Sequence, residues 1–211
     1  MRLAIIVPFR DRHEHAKKFI PYVSTYLTMQ GHEFQILIVE QEQGKPFNRG
    51  KLCNVGYNSI EADYYVFHDV DMLPITADYS ACLNPTHLVA SATQFEKGVP
   101  YDTYFGGVTM FPNADFMQVN GFSNEFWGWG SEDDDLIRRC AKENLVITRR
   151  EGGVFESLDH AINIDPESAK VNYELYAKGT DYNTDGLTTL EFEPIYKQIL
   201  TSKVSILQVS I

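Results

Sequence analysis

Three apolar runs constrain the first third of this chain. Leu3 to Val7, Phe34 to Val39 and Tyr64 to Phe67 hold no charged residue. Short runs of this kind, bounded by turn residues, belong to strands buried on both faces, as in the centre of a parallel sheet. Between the first two, Asp11 to Gln30 reads as a helix with His13, His15, Lys17 and Lys18 on its wetter side. Pro21 should kink or split it, and Gly31 should close it. Between the second and third, a loop with Gly44 and Pro46 leads through Phe47-Asn48-Arg49-Gly50 into a short helix ending near Ser59. This alternation predicts an α/β fold with right-handed crossovers.

The second half is more mixed. Leu88 to Ala92, Gly107 to Phe111, Leu145 to Thr148 and Leu187 to Phe192 read as strands. Asn113 to Asn120, a stretch starting at Glu132, and Asp165 to Lys178 read as helices. Ser131 is placed to cap the helix at Glu132, with Asp134 as the reciprocal acid. No repeat, low-complexity tract or linker interrupts the chain, so residues 1–211 read as a single domain, and that length suffices for one substantial core.

A net charge of −11 argues against a nucleic-acid binder or a polybasic membrane anchor. No apolar segment approaches the roughly 20 residues of a membrane span. The opening Met1 to Pro8 is too short for a signal peptide and runs into Arg10-Asp11-Arg12, so it reads as the first strand. Cys53, Cys82 and Cys140 are odd in number and lack metal spacing. Reduced thiols and a cytoplasmic location are the expectation.

Two acidic motifs carry the chemistry. Asp69-Val70-Asp71 follows the third apolar run, and ligands of open α/β sheets bind beyond the carboxyl ends of strands. Alternate residues of an extended chain point the same way, so both acids can face one cleft. As hard oxygen donors they suit Mg²⁺ or Mn²⁺, ions often carried with phosphates; a solvated strand end is the bland alternative. The second motif is Trp127-Gly128-Trp129-Gly130-Ser131-Glu132-Asp133-Asp134-Asp135. Four adjacent carboxylates repel one another unless solvent, a cation or a ligand offsets the cost. Glycines give the tryptophans a mobile backbone. Such a loop suits closure over a ligand rich in hydroxyls, such as a sugar. One or two of the acids, Asp135 first, can instead serve only the helix start.

Six blocks in order resemble the β-1,4-galactosyltransferases: Pro8 to Arg12, Phe47 to Gly50, His68 to Pro74, Tyr104 to Val108, Trp127 to Asp135 and Asp185 to Leu190. The His-Asp-Val-Asp form is most similar to the xylosylprotein branch. The resemblance implies a GT-A glycosyltransferase fold, with a Rossmann-like nucleotide-binding half and a mixed central sheet. It implies inverting, metal-dependent transfer of galactose from UDP-galactose to a sugar hydroxyl of a glycan acceptor, with β-1,4 linkage. Animal members of the family carry an N-terminal membrane anchor, so a chain that opens on its first strand points to a soluble microbial or viral member.

The resemblance also assigns roles. Asp71 and His160 would hold Mn²⁺ or Mg²⁺, and Asp69 would lie nearer the ribose. Where the family places a further ligand, this chain has Ser157 and Leu158, which leaves Asp159, Glu156 or water to complete the shell. Pro8, Phe9, Arg10, Arg12, Phe47 and Arg49 would form the uridine and phosphate pocket. Trp129 would swing over the donor sugar, while Trp127 packs. Asp133 would be the catalytic base, Glu132 and Asp134 would bind sugar hydroxyls, and Gly107 would lie near the acceptor. Tyr104 would fill the space that an acetamido group needs, favouring galactose. In the family the segment after the metal histidine orders over the donor and forms the acceptor site; here 152–184 matches it. Transfer of N-acetylgalactosamine or glucose from UDP, a non-catalytic sugar-nucleotide-binding protein, and a metal-dependent phosphohydrolase are the competing readings.

Overall fold

The computed structural model describes residues 1–96, 98–159 and 164–211. In chain order the elements are β1 (Leu3–Phe9), α1 (His13–Met29), β2 (Phe34–Gln41), α2 (Arg49–Ser59), β3 (Tyr64–His68), β4 (Met72–Thr76), β5 (Thr86–His87), β6 (Ser91–Ala92), β7 (Val108–Pro112), α3 (Asn113–Gln118), α4 (Glu132–Lys142), β8 (Thr148–Arg149), β9 (Val154–Ser157), α5 (Pro166–Lys178), β10 (Glu193–Thr201) and β11 (Val204–Ser210).

The three apolar runs are the parallel centre of a mixed sheet, ordered β10-β11-β2-β1-β3-β7-β5-β8. β7 runs antiparallel to β3, so Gly106 and Gly107 arrive at the end of the sheet from which the acidic triplet leaves. Asp69 N–H donates to Gly107 O at 2.9 Å and ties the two together. A smaller sheet, β4-β9-β6, continues directly from the triplet. Each face of the large sheet has its own core. Ile5, Val7, Ile36 and Val66 pack with Phe19, Val23 and Leu27 of α1 on one side. On the other, Ile6, Leu37 and Phe67 pack with α2 and with the aromatic cluster of Phe105, Phe111, Phe116 and Phe122.

Several boundaries differ from expectation. α1 begins at His13 because Asp11 has φ +56°, a left-handed conformation that cannot start a right-handed helix. The helix runs through Pro21 without splitting; this residue is exposed, so the carbonyl it leaves unbonded can reach water. The strand expected at 88–92 is divided into β5 and β6, and that at 145–148 shrinks to β8. Leu187–Thr189 is a single 3-10 turn rather than a strand, and the β10–β11 hairpin beyond it was not foreseen. Ser131 precedes α4 with φ +74° and its hydroxyl makes no capping bond. The expected capping box is therefore absent. A left-handed residue cannot aim its side chain at the third N–H of the helix.

Candidate active site

The carboxyl ends of β1, β2 and β3 meet the start of β7 and the N-terminus of α4 at one edge of the sheet. From the first strand, Arg10 reaches across to the β2–α2 loop. Its Nη1 donates to Lys45 O at 2.7 Å, and its guanidinium lies 5.4 Å from the centre of the Phe47 ring. Gln43 closes this corner by donating to both oxygens of Asp11. Phe9 differs from its expected place as an open aromatic wall. It is 4% exposed within the core, with its ring against His13. Arg10, Arg12 and Phe47, each half-buried, therefore form the accessible part of this group, while Pro8 is buried in β1.

Asn48 caps α2, accepting from Lys51 N–H at 2.8 Å, and its amide donates to Asn124 O. Asn54 donates to Phe122 O and Asn124 Oδ1. These bonds fix α2 to the segment that leads into the Trp-Gly run. Gly50 permits the close approach: a Cβ there would lie 3.0 Å from Ser123 O and 3.1 Å from Phe122 Cβ. Arg49 on the first turn of α2 is thereby carried between two acids. Its Nε donates to Asp69 Oδ1 at 2.7 Å, and its Nη1 lies 3.7 Å from Glu132 Oε1. Nη2 is buried without a hydrogen-bond partner in the protein. Burial works against the charge, but Asp69 and then Glu132 hold the guanidinium firmly protonated. One unfilled donor of a planar fork is suited to a phosphate or sugar oxygen.

α4 delivers its acids in different directions. Asp135 turns inward, 1% exposed, and accepts from Arg139 Nε at 2.8 Å; Arg139 Nη2 bonds Asp185 at 3.0 Å. Asp135 is therefore structural, as expected for one of the four, though through this ion pair. Asp133 faces Gly106: a Cβ there would meet Asp133 Oδ2, Tyr104 Cε2 and Tyr104 Oη, each at 2.8 Å. Only glycine lets these groups converge. Burial, followed by the charges of Glu132 and Asp134, pushes the Asp133 carboxyl up to about 7. Glu132 is raised by burial against the opposing pull of Arg49. Asp134 is raised by burial and accepts from Tyr101 Oη at 3.3 Å. The Tyr104 hydroxyl is held well above its ordinary value by burial and by Asp69 and Asp133. A carboxyl poised near neutrality in a cleft matches what a general base needs.

Asp71 follows β3 at the turn into β4. The N–H of Leu158, just past β9, donates to Asp71 O at 2.7 Å, so the chain continuing from β9 starts beside this acid. His160 lies outside the described residues. Ser157 Oγ donates to Met72 Sδ at 3.4 Å. Among the described residues, no group of three or more His, Cys, Asp or Glu is arranged as a metal cage. Asp69 is charge-paired with Arg49, and carboxylate oxygens such as those of the triplet are the hard donors that suit a divalent ion.

The Trp-Gly run lies across the cleft. Trp127 packs on the second core, with Lys45 and Lys51 over its ring, while Trp129 is 56% exposed. Gly128 N–H donates to Phe47 O at 2.7 Å. Asn172 of α5, 1% exposed, donates to the carbonyls of both Trp127 and Trp129 at 3.1 Å. Sequence reasoning missed Asn172, Tyr101, and the pair His87 and Arg149, which reach this site from remote elements. Asn172 carried no signal, being one polar residue within the helix expected over Asp165 to Lys178.

A cleft at the carboxyl edge of such a sheet, with an acidic turn, a partly filled arginine fork and a near-neutral carboxyl, is suited to a ligand that carries phosphate and hydroxyl groups. A family model described as the N-terminal region of glycosyl transferase group 7 matches residues 1–82. One described as the N-terminal domain of galactosyltransferase matches 86–161. Human β-1,4-galactosyltransferase 4 is 36% identical over 94% of this chain and 62% of its own. Human β-1,4-galactosyltransferase 6 is 37% identical over 92% and 53%. The chain thus spans a little over half the length of these relatives. A Drosophila β-1,4-galactosyltransferase 7 solved with manganese, UDP-galactose and xylobiose superposes with a TM-score of 0.86 at 29% identity, covering 100% of this chain and 94% of that one. The fold is GT-A, and the chain belongs to the glycosyl transferase group 7 family.

Proposed function

We propose that this protein is a metal-dependent galactosyltransferase that moves galactose from UDP-galactose to a sugar hydroxyl of a glycan acceptor. The convergence of Asp133, Tyr104 and Arg49 around Gly106 and Asp69 carries the reading. Support for manganese, a UDP-galactose donor and a xylose-type acceptor comes from the Drosophila enzyme and what it holds. Its likeness at full coverage also favours the xylosylprotein branch.

In this reading, Arg10 and Phe47 receive the uridine end, with Phe9 behind them and Pro8 and Arg12 beside them. Arg49 spans the sugar nucleotide: its paired face fixes Asp69 toward the ribose, and the unfilled Nη2 donates to an oxygen of the bound substrate. Asp71, with His160, would hold a divalent ion, which when bound would neutralise charge on the departing diphosphate. Asp133 takes the proton from the acceptor hydroxyl as that oxygen bonds the anomeric carbon; the bond to UDP breaks and UDP leaves with its electron pair. Glu132 and Asp134 accept from sugar hydroxyls, and Trp129 covers the donor. Gly107, φ +77°, leaves space for the acceptor near Tyr104. A cytoplasmic location is part of the proposal, supported by the free state of Cys53, Cys82 and Cys140.

The test is incubation with UDP-galactose, Mn²⁺ and a panel of β-xyloside, β-glucoside and GlcNAc acceptors, with the product linkage read by NMR. The expected product is a β-1,4-galactoside of one acceptor, the xyloside first. Donor binding without product from any acceptor would favour a sugar-nucleotide-binding protein instead.

A further inference from the structure

We infer that Arg149 and His87 form a brace that positions Tyr104 against the donor sugar, making Arg149 a positioning residue for donor recognition. The inference rests on the proposed donor site and adds to it two residues from outside the motif blocks. β5 and β8 are two-residue strands paired in parallel at the sheet margin, with His87 opposite Arg149. That register sets the guanidinium beside the imidazole. Arg149 Nη1 donates to His87 Nδ1 at 2.9 Å and to Tyr104 O at 2.6 Å. The other ring nitrogen, His87 Nε2, lies 2.9 Å from Gly106 O.

The tautomer follows from the chemistry. A guanidinium has no acceptor, so His87 Nδ1 must accept. Nε2 therefore carries the proton and donates to Gly106 O. His87 is 1% exposed, and burial holds it neutral with its value lowered to about 4, so this arrangement persists across physiological pH. The carbonyls of Tyr104 and Gly106 are thus gripped from one side, two residues apart, by a single relay. Between them the chain turns so that Tyr104 Oη and Asp133 Oδ2 flank the bare Cα of Gly106. The Tyr104 ring also stands edge-on to the His87 ring, with centroids 5.5 Å apart. Without the Arg149 bonds, Tyr104 O loses its side-chain donor and His87 Nδ1 loses its partner, which leaves Nε2 to Gly106 O as the ring's remaining bond. The segment that sets the depth of the sugar pocket then gains freedom, while the uridine corner at Arg10 and Phe47, formed by other strands, does not.

The experiment is calorimetric titration of UDP and of UDP-galactose, each with Mn²⁺, into the unsubstituted protein, Arg149→Met and Arg149→Lys. Arg149 is exposed, so both variants should fold, and equal melting temperatures check this. The expected result for Arg149→Met is an unchanged UDP dissociation constant and a rise of about fivefold in the UDP-galactose to UDP ratio of constants, the size of effect when the loss of both Arg149 bonds loosens one contact to the sugar. Arg149→Lys should recover part of that ratio. An unchanged ratio, or an equal loss for UDP and UDP-galactose, would overturn the brace while leaving the functional reading intact. An unsubstituted protein that binds no UDP would overturn the functional reading, and the brace with it.

Discussion

Replacing Asp133 with Asn should stabilise the protein while abolishing transfer. Asp133 is raised from its ordinary 3.8 to about 7, first by burial and then by Glu132 and Asp134. One pKa unit corresponds to about 1.4 kcal/mol, so an ionised Asp133 costs the folded state at most about 4 kcal/mol. Asp133 as a whole residue is half-buried, and local relaxation with solvent screening lowers that ceiling to about 2 kcal/mol. The sign follows from proton binding. Above pH 4 the unfolded chain has released this proton while the folded protein retains it. The penalty therefore grows as pH rises from about 4 and is complete above about 7. Asn cannot ionise, so Asp133→Asn should melt roughly 4–8 °C higher than the parent at pH 8. The advantage should shrink toward zero near pH 4. Differential scanning calorimetry across that range reads the effect, with transfer assayed in parallel and expected to fall by about 100-fold or more. A variant no more stable at pH 8, or one whose advantage does not change with pH, would refute the argument that Asp133 is held in an environment hostile to its charge.

Three further outcomes follow from the same geometry. Tyr104→Leu should open space beside Gly107 and admit UDP-N-acetylgalactosamine as donor; comparison of kcat/KM for the two donors checks this, and unchanged selectivity would contradict it. Asn172→Leu removes the amide that holds the carbonyls of Trp127 and Trp129, so tryptophan fluorescence should report a looser loop and donor affinity should fall about fivefold. Arg139→Met leaves Asp135 charged and buried without its partner, which should cost about 3–5 kcal/mol in a denaturant titration.

Where one physical cause dominates, the sequence is legible. β1, β2 and β3 are buried on both faces, so their apolar runs name them, and the triplet after β3 falls where the sheet ends. Five of the six motif blocks likewise meet around one cleft, while Asp185 to Leu190 packs on Asn120 and Arg139. The rest depends on contacts between distant residues. β10 is exposed along its whole length, so no apolar period marks it, and the hairpin went unread. At 187–192 Leu187, Leu190 and Phe192 suggested a strand, but Gly186, with φ +146°, packs so closely on Asn120 O that a Cβ would sit 1.9 Å away. That approach turns the chain instead. Among the α4 acids the sequence singles out Asp135 for the helix, but only packing reveals its buried pair with Arg139 and sets Asp133 in the cleft. His87 and Arg149 lie in two-residue strands too short for any pattern to reveal their pairing.

The central claim is that Asp71 enables metal-dependent cleavage of a sugar nucleotide at this cleft. The most direct measurement is UDP release from UDP-galactose with Mn²⁺ and a β-xyloside, compared between the parent and Asp71→Ala, with chelator as control. The account predicts acceptor-stimulated release that vanishes with chelator and in the variant. Release that survives both the chelator and the loss of Asp71 would contradict it.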